Sequence, residues 1–264
     1  MKNFPRSRIG EYEISRLIIG GNPFGGGSHF SNAKNRWLRR LLTDDVIVAM
    51  FEKCEEEGIN TFLGRGDDQI FRVMNKFEEK HGRRFNWLVQ TAPERGPHGG
   101  RHPMNTPASI REIAQHKPIG IYIQGSSVTD QLLNLEERKI EHVQEWLELI
   151  RSYGIFAGVG SHNHRTIDIC EERGYNPDFY MITLNSLGLY CSGAPESISQ
   201  SIKSTKKPVL AFKIMAAGRI PPDEAFKLAL NCIKDTDFIV VGMAFPEEIE
   251  ENAELVRKFT RCET

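Results

Sequence analysis

Short, uninterrupted apolar runs alternate along this chain with stretches whose apolar residues recur at every third or fourth position. The runs are too continuous for strands with one wet face, so they predict parallel strands buried on both sides. The spaced stretches predict amphipathic helices that cover them. The pattern is clearest from Lys207 to Phe259, where KPVLAF and DFIVVG each lead into a helical stretch, the second opening Pro246-Glu247-Glu248. Upstream, RLIIGG, INTFLG, FNWLVQTA, IGIYIQG, IFAGVGSH and DFYMITLN complete a series of eight strand-and-helix units.

Capping chemistry agrees with the periodicity. Thr43-Asp44-Asp45 opens a helix with Val46, Met50 and Phe51 on its core stripe, and Gly58 stops it. After the second strand, Ile70, Val73, Met74 and Phe77 share one helical face, and NLEERKIEHVQEWLELIRSYG reads as one long helix. The glycine-rich GGNPFGGGSHF reads as a flexible rim loop. Residues 1–16, with Gly10 between two β-prone pieces, predict a hairpin that closes one end. The expected fold is α/β, a single (β/α)8 TIM barrel domain over residues 1–264 with a short N-terminal β-hairpin.

Composition narrows the function classes. A formal charge of -1 and 26% charged residues give no long-range pull toward nucleic acid or an anionic membrane, and no apolar run is long enough to span one. The start lacks a secretory leader pattern. Five scattered cysteines argue against a disulfide framework and fit a reducing, cytoplasmic setting. The expected partner is a small molecule; nothing in the sequence sets an oligomeric state.

In such a barrel, chemistry belongs on the loops after the strands. With Leu210 and Phe212 assigned to the helix layer, alternation points Lys213 into the mouth, where an ammonium needs an anion or a lowered pKa. Arg65 shares the inward parity of Leu63 and could hold a carboxylate or phosphate. Asp67 and Asp68 either cap the next helix or answer Arg65 or Lys213. Tyr122, Gln124 and Asn185 are neutral groups suited to orienting a ligand. The cluster after strand five offers Ser161, His162, Asn163 and His164, with His162 as a candidate acid/base group. Histidines and carboxylates of the rim, including Glu94, His98 and His102, lack compact ligand spacing, so no metal is expected. Cys191 has no local base.

Four stretches, EISRLIIGGNPFGG, EEGINTFLGRG, GVGSHN and VVGMAFPEEIEENAELV, resemble the aldo/keto reductase superfamily. The resemblance implies NAD or NADP lying across the rim. Glu251 and Asn252 match positions at the adenine end, and Gly242, Met243, Ala244 and Phe245 match the phosphate-side loop. The carboxamide-binding Ser-Asn pair falls on Gly160 and Ser161; Ser161 and Asn185 complete the implied cofactor set. The family's catalytic aspartate falls on Leu63, its tyrosine near Asp68, its lysine on Ala92 and its histidine on Gln124, so the four are not retained. Leucine, alanine and glutamine supply no proton donor for carbonyl reduction.

The implied function is therefore a reductase-like barrel that binds a nicotinamide dinucleotide or other phosphorylated ligand at the C-terminal rim, with atypical rather than ordinary redox chemistry. The residues by themselves also support a Schiff-base or acid/base lyase, isomerase or aldolase in which Lys213, Arg65, Asp68 and His162 act together. A third reading is a noncatalytic sensor or interaction protein on the same scaffold.

Overall fold

The computed structural model describes residues 2–260; Cys262 lies outside them. A hairpin, β1 (Arg6–Ile9) and β2 (Tyr12–Ser15), precedes a closed barrel. In chain order the barrel strands are β3 (Leu17–Gly20), β4 (Thr61–Arg65), β5 (Asn86–Gln90), β6 (Gly120–Ile123), β9 (Phe156–Ser161), β10 (Phe179–Thr183), β11 (Val209–Phe212) and β12 (Phe238–Gly242). Each pairs in parallel with its neighbours, and β12 closes on β3 with Val240 opposite Ile18. This is the expected (β/α)8 barrel with its hairpin.

Packing divides into two cores because side chains alternate across a strand. Inside lie Ile18, Leu63, Leu88, Tyr122, Phe179, Met181, Leu210, Phe238 and Val240. Ile9 and Ile14 of the hairpin join this inner core and plug the N-terminal end. The glycines of β9 make the rings fit: a Cβ on Gly158 would stand 2.4 Å from the Phe179 ring, and one on Gly160 would stand 2.9 Å from Tyr122. Any side chain there would displace a large inner residue.

The outer core lies between the strands and the helices α2 (Asp44–Glu56), α3 (Asp68–His81), α4 (Thr106–Ala114), α6 (Val143–Arg151), α7 (Arg165–Arg173), α8 (Pro195–Ser204), α9 (Pro222–Cys232) and α10 (Pro246–Thr260). Thr43 caps α2 by accepting from the Val46 N–H, and Asp67 caps α3 by accepting from Ile70. Gly82, at φ +66°, ends α3 in the left-handed region that glycine adopts without penalty.

Two segments depart from expectation. A basic helix, α1 (Asn32–Leu41), follows the glycine-rich loop, capped by Ser31 and anchored by Leu38 and Leu42. The stretch expected as one helix from Asn134 to Gly154 is broken: the short α5 (Asp130–Leu132) leads into a small hairpin, β7 (Leu133–Asn134) with β8 (Lys139–Ile140), before α6 begins. Asn134 turns this hairpin by accepting from the Glu136 and Glu137 N–H groups through its side chain, the local bond by which Asn competes with helix.

Candidate active site at the C-terminal mouth of the barrel

The residue that ends β11 corrects the expected parity. Leu210 and Phe212 belong to the inner core, while Val209 and Ala211 pack outward, so simple alternation would send Lys213 toward the helices. Lys213 instead adopts φ +60°. This left-handed residue turns the chain, and the lysine reaches the mouth: its Nζ lies 4.8 Å from the Tyr190 ring centroid and 5.6 Å from that of Phe212. A left-handed non-glycine residue is the kind of local strain found at functional sites.

The surroundings of Lys213 give its amine unusual character. Burial lowers its pKa to about 8; Cys191 opposes that effect, and no carboxylate among the described residues does. Its neighbour is His29 Nε2, at 3.1 Å. Desolvation, then the charges of Lys213, His162 and Arg219, pull the His29 imidazole down to about 4. At neutral pH His29 is therefore uncharged and accepts from the lysine through Nε2, to which Asn22 also approaches at 3.3 Å.

Next to this pair lies a carboxylate–imidazole dyad. His162 Nδ1 is 2.8 Å from Asp130 Oδ2, and since a carboxylate only accepts, Nδ1 carries the proton and Nε2 is left for exchange. Asp130 is itself held. Ser161 Oγ donates to its Oδ1 at 2.6 Å and the His162 backbone N–H donates at 3.1 Å. The His162 ring stands 5.4 Å from Phe212 and 6.1 Å from Tyr190, the two rings that flank Lys213. Asn185, fully buried, fixes the loop that carries Tyr190: its Nδ2 donates to the carbonyls of Leu189 at 3.0 Å and of Lys213 at 3.3 Å.

On the opposite side of the mouth the charges pair with one another, although Arg65 Nε and Glu94 Oε2 have no hydrogen-bond partner among the described residues. Arg65 points inward as expected and is ion-paired with Glu94, to which Arg101 also approaches at 3.8 Å. Tyr122 donates to Gln90 Oε1 at 2.9 Å, and burial raises its phenol well above the usual range. Gln124 is spent on the backbone: its Oε1 accepts from the Ser127 N–H at 2.7 Å and so caps a single π-helical turn, Gly125–Thr129, that delivers Asp130. Such turns recur at functional sites.

Asp68 does not join Lys213 or Arg65. It is mostly exposed and bonds to Arg95, while Asp67 caps α3. Among the described residues no three His, Cys, Asp or Glu side chains gather as a metal site. Cys191 accepts from Asn185 Nδ2 at 3.4 Å, and burial raises its thiol pKa.

The residues matched to cofactor contacts are placed as follows. Gly242 sits against Pro23, Met243 and Ala244 are buried, and Phe245 packs on Trp37 of α1 with centroids 5.7 Å apart. Glu248 Oε2 accepts from the backbone N–H groups of Ala244, at 2.5 Å, and Phe245, at 3.3 Å. These are the donors a phosphate would need at the start of α10. Glu251 is exposed, but Asn252 is 2% exposed and its Oδ1 has no hydrogen-bond partner among the described residues. With Glu248 on those donors, the phosphate-side loop as it stands does not fit a bound dinucleotide.

Asp130, Tyr190 and His29 were not singled out by sequence reasoning. Asp130 lies in the polar GSSVTD between strand four and the next helix, and that Ser/Thr/Asp cluster was the available signal. Tyr190 and His29 are aromatic residues within glycine-containing rim loops.

The fold is a (β/α)8 barrel with a candidate site at its C-terminal mouth. No family model matches the chain, and no curated protein matches it. Solved structures do: a protein from Pseudomonas aeruginosa assigned to the aldo-keto reductases is 14% identical, with TM-score 0.67, over 97% of this chain and 94% of that one. An aldo-keto reductase from Bacillus halodurans, solved in its holo form, is 12% identical with TM-score 0.64 over 96% and 91%. The N-acetylmannosamine-6-phosphate 2-epimerase of Clostridium perfringens is 16% identical with TM-score 0.51 over 84% and 87%. At these identities the likeness is one of fold, and the fold hosts unrelated chemistries.

Proposed function

We propose that this chain is an enzyme acting on a small aldehyde or ketone through a Schiff base on Lys213, in the class of lyases, isomerases and aldolases. The observation that carries this reading is the Lys213 amine itself: half-buried at the mouth, free of any carboxylate, with a pKa of about 8, beside the His162–Asp130 dyad. At neutral pH roughly a tenth of such an amine is unprotonated, against less than a thousandth for an ordinary lysine.

The neutral amine adds to the carbonyl carbon, forming a C–N bond. The carbonyl oxygen takes up protons and departs as water, which leaves a protonated imine. His162 supplies and removes those protons at Nε2 while Asp130 holds the ring. The cationic imine then withdraws electrons from an adjacent bond, and His162 accepts the proton released: that of the C–H bond itself, or, when a C–C bond breaks, that of the β-hydroxyl, which leaves as a carbonyl fragment. Partial burial against Tyr190 and Phe212 keeps a usable share of the amine neutral.

The test is trapping by cyanoborohydride with pyruvate, glyceraldehyde and dihydroxyacetone, read as adduct mass and located by peptide mapping. An adduct on Lys213 that disappears in Lys213→Ala is the expected result. No adduct with any of the three, or equal labelling in the variant, would sink the reading.

A second reading, binding of NAD or NADP, is favoured by the likeness to aldo-keto reductases across nearly the whole chain. Glu248, which occupies the backbone donors at the start of α10, weighs against it. Saturable enhancement of NADPH fluorescence by the wild-type chain would restore it.

A further inference from the structure

We propose that the outer surface of α1 and α10 is a dimer interface, whose occupant is a second copy of this chain related by a two-fold axis. Trp37 and Leu41, one turn apart on α1, are 43% and 36% exposed, and Val46 follows in the first turn of α2, also 36% exposed. Trp37 packs on Phe245, the residue before α10, so α1 and the start of α10 adjoin. Tryptophan and arginine are the residues that most often anchor the centre of an interface.

Charge decides what the partner is. Helix α1 carries Lys34, Arg36, Arg39 and Arg40 and no acidic residue. Helix α10 exposes Glu247, Glu251 and Glu254 at i, i+4 and i+7, an acidic stripe along one face. The helix dipole favours an acid only in the first turn, so it leaves Glu251 and Glu254 without a role. Lys34 lies over the Phe30 ring, and Arg39 donates to the Gly25 carbonyl. Arg36 and Arg40, by contrast, form no ion pair among the described residues, and neither do Glu247, Glu251 and Glu254. The neighbouring helices behave differently. Arg72, Lys76 and Lys80 of α3 all pair with carboxylates of α2, and Glu250 of α10 pairs with Lys53.

One two-fold rotation satisfies both unmet sets. The α1 arginines of each copy meet the α10 glutamates of the other, around a centre that joins Trp37 and Leu41 of both. Arg36 and Arg40 stand one turn apart, as do Glu247 and Glu251, so the two rows match in spacing. A surface that holds both signs side by side is complementary to itself, which an isologous contact requires. An anionic membrane or a nucleic acid would attract the arginines but be repelled by the stripe beside them. The surface uses none of the groups of the Lys213 site.

The test is sedimentation velocity of the full chain from about 1 to 100 µM, the range over which a modest interface dissociates. A reversible monomer–dimer equilibrium is expected, weakened at least about tenfold between about 50 and 500 mM NaCl as the ion pairs are screened. Arg36→Glu with Arg40→Glu should give a monomer, and so should Glu247→Arg with Glu254→Arg. An equimolar mixture of these two double variants should regain the dimer, since each supplies the sign the other lacks. A wild-type chain that stays monomeric up to about 100 µM overturns the proposal. So does a dimer that survives both reversals, or a mixture that stays monomeric. The wild-type series decides even where a variant fails to fold.

Discussion

Two adjacent stretches of the rim, the turn after β11 and the start of α10 after β12, treat charge in opposite ways. After β12 the backbone donors of Ala244 and Phe245 are met from within by Glu248. After β11 a half-buried ammonium is left with a neutral histidine and two aromatic rings. The first arrangement stabilises a helix terminus and needs nothing else. The second costs stability, because burial disfavours the charged amine, and that cost is recovered only if the neutral amine is used. The contrast teaches where to look on a scaffold whose fold is silent about chemistry: at the group the chain leaves unanswered.

The largest effect should come from removing that group. Lys213→Ala and Lys213→Arg are both expected to slow imine formation about a thousandfold or more, since arginine restores the charge but not the nucleophile. Retained trapping in Lys213→Arg would break the comparison. Next comes Asp130→Asn, which keeps the shape but loses the acceptor that orients His162; the trapping rate should fall about a hundredfold. An unchanged rate would remove the dyad from the mechanism.

The pH dependence is smaller but carries a definite sign. The folded pKa of Lys213, about 8, lies below its ordinary 10.5. Labelling of Lys213 by an amine-reactive ester should therefore rise about tenfold per pH unit up to pH 8 and level off above it. Between about pH 8 and 10.5 the unfolded chain holds more protons at this position, so the contribution of Lys213 to stability should rise with pH across that window. Labelling that keeps rising about tenfold per pH unit past pH 8 toward 10.5 would count against an unanswered charge.

The smallest effect belongs to the other stretch. Glu248→Gln should cost about 1 kcal/mol in urea unfolding, the usual value of a helix-start carboxylate. It should also raise the affinity for inorganic phosphate, whose place Glu248 occupies. A loss of stability with no gain in phosphate binding would show the carboxylate to be a cap only.

The barrel was legible in the sequence because strands buried on both faces leave continuous apolar runs, and the hairpin because Gly10 separates two β-prone pieces. The site was legible only in part. Arg65 follows the alternation of β4, but at Lys213 alternation fails, since one left-handed residue ends the strand and no pattern of apolar positions records it. Helix α1 escaped although Trp37, Leu38, Leu41 and Leu42 recur at helical spacing, because the barrel pattern expects only a rim loop between strand one and the helix that starts at Asp44. Asp130 escaped because the π-helical turn that delivers it depends on Gln124 bonding to its own backbone, a local choice invisible to periodicity. Glu248 shows the converse: a helix-start glutamate is easily read from sequence, but that it fills the phosphate-side loop is a fact of geometry.

The most direct test of the central claim is the titration of Lys213 itself, followed by NMR of lysine labelled with 13C at Cε and assigned with Lys213→Arg. A midpoint near 8 is the expected result. A midpoint at the ordinary lysine value of 10.5 would mean that the amine is solvated and charged like any surface lysine, and the account of the site would be wrong.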